Sequence, residues 1–241
     1  MIRINLISGP RNISTALMYS FAQRPDTRVL DEPYYAVYLL RTGVPHPARE
    51  AIILNLPQTE EKADEMIFGH PASYAVLFIK NMAHHMEVLD HEVKDGLINV
   101  FLIRDPRLVI ASYSRIIDRP VMRDLGIEYQ YRLFSRLLKL TSAPPIVIDS
   151  GLLLRSPASV LRQLCAGTHI HFLPEMLTWE PGPKSYDGIW APHWYGNVHK
   201  SEGFTALDSA PRTVPDHLMP LCEESMSFYQ KLLPFALKPQ D

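Results

Sequence analysis

Ser8-Gly9-Pro10-Arg11-Asn12-Ile13-Ser14-Thr15 is the stretch on which the reading of the whole chain turns. Before it, Arg3 to Ile7 is short and mostly apolar, as a buried strand should be. After it, Ser14 to Gln23 carries apolar residues at three- and four-residue steps, as a helix should. Strand, tight loop and helix in that order make a βα unit. Gly9 suits a sharp turn, Ser14 and Thr15 offer capping hydroxyls, and the free N–H groups of a helix start favour an anion. Arg11 adds a fixed charge with forked donors suited to phosphate. The same residues also suit a capped helix after a turn that holds nothing. The Walker pattern Gly-x-x-x-x-Gly-Lys-Ser/Thr is not met, because Asn12-Ile13 stands where Gly-Lys would precede the hydroxyl residue.

Further βα units follow outward from this one. Strands are expected at Arg3–Ile7, Thr27–Leu30, Tyr74–Ile79, Asn99–Ile103 and Ile146–Ile148, and helices at Ser14–Gln23, Glu60–Phe68, His84–Val93, Arg107–Ile117 and Glu128–Leu140. The pattern predicts an α/β fold of three layers, a central parallel sheet of about five strands flanked by helices. The segment Arg41 to Asn55, with Pro45 and Pro47, reads as an insertion on the substrate side. Residues 174–211 are rich in Pro, Gly and Trp and read as a packed aromatic loop, and 212–235 as a closing helix started near Pro215 and stopped at Pro234. The whole of 1–241 reads as one domain.

Composition narrows the function classes. A net charge of −2 gives no global attraction to nucleic acid or an anionic membrane, so anion recognition must come from local clusters. Cys165 and Cys222 match neither a zinc nor a redox spacing and fit a reducing cytoplasm. No apolar run approaches the roughly 20 residues of a membrane span, and the N-terminal run is too short for a signal peptide. No metal is expected: the ten histidines include no i, i+4 pair with a Glu on a helix, and His169 and His171 read as structural residues of a strand.

A second segment bears on anions. In Phe101-Leu102-Ile103-Arg104-Asp105-Pro106-Arg107 a hydrophobic strand ends in Arg104, Pro106 favours a helix start, and Ser112 lies eight residues beyond Arg104. Ligands of open α/β sheets gather outside the carboxyl ends of the strands, where Arg104 falls. Alone, Arg104 and Asp105 also read as a surface pair at a helix start.

Together the two segments resemble the sulfotransferase family, which uses 3′-phosphoadenosine 5′-phosphosulfate (PAPS) on a P-loop-type fold. Pro10-Arg11-Asn12-Ile13-Ser14-Thr15 is similar in register to that family's Pro-(Lys/Arg)-Ser-Gly-Thr-Thr loop for the 5′-phosphosulfate. Arg104 and Ser112 match the family's Arg and Ser for the 3′-phosphate. Asp31-Glu32-Pro33 resembles an acidic motif in which the Glu is the candidate general base. Gly188-Ile189-Trp190-Ala191-Pro192-His193-Trp194-Tyr195 and Lys200-Ser201-Glu202-Gly203-Phe204 resemble the sulfotransferase-like proteins fused to branched-chain aminotransferases in plants. Asn12 and Ile13 depart from the usual Ser and Gly, and Lys200 stands without an Arg-Lys-Gly-x-x-Gly run.

The resemblance implies transfer of a sulfuryl group from PAPS to a hydroxyl or amine of a small-molecule acceptor, with adenosine 3′,5′-bisphosphate (PAP) as product. Donor binding then falls to Gly9 through Thr15, Arg104, Ser112 and Lys200. Glu32 is the candidate base; Arg11 offsets phosphosulfate charge; Lys80 is placed to reach the same crevice; His84 and His85 are rival bases. Two other readings stay open: a nucleotide kinase or hydrolase with Asp105 on Mg²⁺, and a nucleotide-binding module without catalysis.

Overall fold

A computed structural model describes residues 1–69, 73–91, 93–204 and 213–240. The first half runs β1 (Ile2–Ser8), α1 (Ser14–Ala22), β2 (Thr27–Asp31), α2 (Tyr35–Thr42), α3 (Arg49–Asn55), α4 (Glu60–Phe68), β3 (Val76–Met82) and α5 (Ala83–Met86). There follow β4 (Ile98–Ile103), α6 (Pro106–Tyr113), α7 (Met122–Leu125), α8 (Ile127–Leu140), β5 (Ile146–Asp149), α9 (Ser150–Arg155), α10 (Pro157–Gly167), α11 (Ala191–Trp194) and α12 (Met219–Leu232).

All five strands are parallel, in the order β2-β3-β1-β4-β5. Side chains alternate between the two faces, as the pleat requires. Ile4, Leu6, Phe78 and Leu102 pack on one face against Leu17, Met18 and Phe21 of α1 and Leu161 and Leu164 of α10. Ile7, Leu77, Phe101 and Ile103 pack on the other against Ala63 and Ile67 of α4 and Leu133 and Phe134 of α8. Helices thus cover both faces, and the expected three-layer α/β fold is present. Each fully buried Leu, Ile, Met or Phe among them contributes about 1.5–3 kcal/mol.

β1 lies between β3 and β4, so successive units leave it toward opposite edges. Such a switch point opens a crevice at the carboxyl ends of the strands.

Several boundaries differ from the sequence expectation. The helix expected at His84–Val93 is only α5, because the chain turns away so that the Asp90 and His91 amides donate to the Glu60 carboxylate at 2.8 and 3.1 Å. α6 ends at Tyr113, before the exposed Ile116 and Ile117, which have no core to meet. Arg41 to Asn55 holds a helix, α3. β3 starts and ends later than expected and contains Lys80. α9 and α10 were not anticipated, although their signals are present: Asp149 accepts from the Leu152 amide at 2.9 Å as an N-cap, and Pro157 opens α10. His169 and His171 lie in no strand; His169 takes φ 59° after α10. Residues 205–212, the end of the expected aromatic loop and start of the expected closing helix, lie outside the described residues. After them come a 3₁₀ turn at Asp216–Leu218, α12, and a second turn at Leu233–Phe235.

Candidate active site

The crevice is a cleft of about 430 Å³ at the carboxyl ends of β1, β2, β3 and β4. Every residue expected to hold the donor or act as base, except Gly9, lines it.

The Ser8–Thr15 loop forms one wall. Arg11 and Ile13 take φ of 57° and 50°, the left-handed region, with Asn12 between them. Alternating handedness of this kind turns successive N–H groups toward one concavity, an anion nest. A β-branched residue rarely adopts this conformation, and the strain costs about 1–2 kcal/mol. Ile13 offsets part of it by packing against the core beside α1. It also occupies the N-cap of α1, a position its side chain cannot bond, and the first turn carries no acidic residue. Ser14 stands one position too late to be the cap, contrary to expectation. The positive end of α1 therefore faces the cleft without a side-chain cap. Asn12 turns inward, its Nδ2 donating to the Leu102 carbonyl at 2.6 Å and so pinning the loop to β4. Gly9 serves packing more than turning: a Cβ there would sit 2.4 Å from the Leu125 carbonyl oxygen.

The second anion segment meets the first. Arg104, buried at the end of β4, donates from Nη1 to the Arg11 carbonyl. Ser112 on α6 accepts from Arg11 Nε at 3.0 Å. Lys200 stands exposed at the rim, in a 3₁₀ turn at Val198–Lys200. Asp105 lies outside the cleft lining: it caps α6, accepting the Arg107 amide at 2.9 Å, and pairs with the Arg107 guanidinium.

Across the cleft lies a buried charge cluster. Asp31 and Lys80 are register partners across β2 and β3. Lys80 Nζ donates to Asp31 Oδ1 at 2.8 Å, to Glu32 Oε1, and to the Tyr195 hydroxyl at 2.6 Å. Those three bonds use all the donors an ammonium has. Two carboxylates thus share one ammonium. Burial, the largest influence, raises the Glu32 carboxyl; Lys80 pulls it down, nearby Asp31 pushes it up, and it comes to about 7. Burial works against the Lys80 charge, but Asp31 and Glu32 outweigh it and hold the proton more firmly than on an ordinary lysine. Glu32 itself takes φ 50°, a third left-handed position at the cleft wall after Arg11 and Ile13.

Aromatic rings complete the enclosure. Tyr35 stacks on His85 at 4.2 Å between ring centroids and meets Trp190 edge-on at 4.9 Å. Trp194 lies 5.5 Å from His46, the one cleft-lining residue of the segment Arg41 to Asn55. His85 Nδ1 stands 3.5 Å from Glu32 Oε2. Burial, with His46 and Arg123 nearby, pushes His84 down to about 3, and burial and the neighbouring His84 push His85 well down. Both imidazoles are therefore neutral near pH 7. Trp179 of the aromatic loop is core, packed edge-on to Tyr19.

A family model described as a sulfotransferase domain matches residues 2–235. The chain belongs to the sulfotransferase family. Among solved members of similar fold are the sulfotransferase domain of the Synechococcus olefin synthase (TM-score 0.54, 17% identity, 92% of this chain and 93% of that one) and that of the curacin biosynthetic pathway (TM-score 0.56, 17% identity, 95% and 96%). Two curated Arabidopsis thaliana relatives, the branched-chain-amino-acid aminotransferase-like proteins 2 and 1, are each 36% identical over 95% and 93% of this chain. The match takes in 41% and 40% of their lengths, so this chain spans about two fifths of the relatives it resembles.

Tyr195, Tyr35 and His46 were not singled out from the sequence. Tyr195 lies 115 residues from Lys80, and no local pattern announces a contact across that distance.

Proposed function

We propose that this sulfotransferase-family protein is an enzyme that transfers a sulfuryl group from PAPS to a hydroxyl or amine of a small-molecule acceptor. The observation that carries the reading is the convergence of the left-handed Arg11–Ile13 loop, the uncapped start of α1, Arg104 and Ser112 on one cleft that also contains a carboxyl poised near neutrality.

The residues present fit an anionic nucleotide donor. The loop N–H groups and α1 suit the 5′ end, with Arg11 offsetting its charge; Arg104 and Ser112 suit the 3′-phosphate; Lys200 supports the donor from the rim. PAPS, when bound, supplies the activated sulfuryl group and a phosphate leaving group. Glu32 takes the acceptor proton, since a base works best with a pKa near the working pH. His84 and His85, held neutral with depressed basicity, are poorer candidates and suit a hydrogen-bonding role toward the acceptor. Lys80 supports Glu32, its donors being committed there and to Asp31 and Tyr195. Asp105 is engaged by Arg107 away from the cleft, which speaks against the magnesium-dependent kinase or hydrolase reading. Two free buried thiols suit a reducing compartment, and we place the protein in the cytoplasm.

Calorimetry with PAP in EDTA tests the donor assignment. Saturable binding without a metal is expected, weakened at least about tenfold in Arg104→Ala, the scale of lost charge-assisted hydrogen bonds. No binding by the unmodified protein contradicts it.

A further inference from the structure

Tyr195 occupies a place that neither anion binding nor aromatic packing accounts for. Its hydroxyl is buried where three elements meet. It accepts from Lys80 Nζ at 2.6 Å on β3 and from Trp190 Nε1 at 3.1 Å, and it donates to Asp31 Oδ2 at 2.7 Å at the end of β2. The Gly188 amide also donates to Asp31 Oδ2, at 3.0 Å. The Gly188–Tyr195 segment is therefore tied to the sheet by three hydrogen bonds, one from Lys80 and two ending on Asp31, the carboxylate that competes with Glu32 for Lys80.

We propose that Tyr195 is a positioning residue: by donating to Asp31 Oδ2 and accepting from Lys80 Nζ it keeps Asp31 from drawing Lys80 away from Glu32, which stays ionised and cleft-facing. The proposal rests on reading Glu32 as the base. The same segment carries Trp190 and Trp194, which line the cleft, so the wall that meets the acceptor is also the wall that readies the base.

The balance is electrostatic. One ammonium stands between two carboxylates, and whichever is less well satisfied elsewhere draws it more strongly. Asp31 receives three donors, from Lys80, Tyr195 and Gly188. Loss of the tyrosine hydroxyl takes one donor from Asp31 and one acceptor from Lys80, so the ammonium shifts onto Asp31 and ionised Glu32 becomes less favourable. The polar groups facing Glu32 are Lys80 of β3, Asp31 of β2, His85 of α5, Tyr35 of α2 and Tyr195. His85 is neutral and the two phenols stay protonated through the working range, so the competition between Asp31 and Glu32 decides.

The test is a carboxyl carbon-13 NMR titration of the full chain with labelled glutamate, the Glu32 signal being assigned by its absence in Glu32→Gln. Tyr195→Phe keeps the ring, and its thermal midpoint checks folding. A Glu32 midpoint raised by about half a pH unit or more supports the proposal. Asp31→Asn removes the competing charge and is expected to lower the midpoint, whereas general loosening would move both variants the same way. An unmoved or lowered midpoint in Tyr195→Phe overturns the proposal. Turnover is not part of this readout, so the base reading fails separately: if Glu32→Gln transfers sulfuryl groups at the normal rate, Glu32 is not the base even where Tyr195 governs its proton.

Discussion

Arg11 Nε donates to Ser112 Oγ at 3.0 Å, joining the first loop of the chain to a helix 101 residues later. This bond brings the two anion segments together. Arg11→Lys keeps the charge but loses the planar fork. We expect it to weaken PAP binding about tenfold by calorimetry, whereas Ser112→Ala costs about 1 kcal/mol, roughly fivefold.

Gly9→Ala tests the packing beneath the loop. The added methyl meets a backbone oxygen, which cannot swing aside as a side chain would. A loss of about 1–3 kcal/mol is expected in denaturant unfolding, with weaker PAP binding because the nest moves with Gly9. Unchanged stability would show that α7 yields easily.

Glu32→Gln separates base from binding. Transfer is expected to fall about 10²- to 10⁴-fold while PAP affinity stays within about twofold. In the unmodified protein kcat/KM should rise with pH through about 7 as Glu32 ionises, and Glu32→Gln should lose that rise.

His84 makes stability depend on pH. Its folded pKa is depressed from 6.5 to about 3, so an unfolded chain takes up a proton that the folded one refuses across that interval. Its contribution is complete above pH 6.5 and is lost as pH falls toward 3. Burial raises Glu32, so its effect has the opposite sign, largest below its unfolded value of 4.5 and lost as pH rises through about 7. Thermal unfolding of His84→Asn should show a flatter acid slope than the unmodified protein.

The sheet was legible in the sequence because its strands are short, mostly apolar runs, those of β1, β3 and β4 largely buried on both faces. Arg104 and Ser112 were singled out through the family resemblance, since alone their strand–helix unit reads as a surface pair at a helix start; the structure shows that both line the cleft. Three things were not legible. The left-handed backbone of Arg11 and Ile13 runs against the propensity of those residues, and tertiary packing of Ile13 holds it. The true length of α5 depends on Glu60, more than twenty residues earlier, drawing the Asp90 and His91 amides away from helical bonding. The commitment of Lys80 depends on Tyr195, whose segment closes on the sheet only in three dimensions. The Asp31-Glu32 pair suggested a base, but how two carboxylates divide one ammonium is a matter of distances.

A crystal structure of the protein with PAP tests the central claim most directly. The account predicts the 5′-phosphate within hydrogen-bond reach of the amides of residues 12–15 at the start of α1, and the 3′-phosphate on Arg104 and Ser112. PAP bound elsewhere, or with its 3′-phosphate away from Arg104 and Ser112, would contradict it.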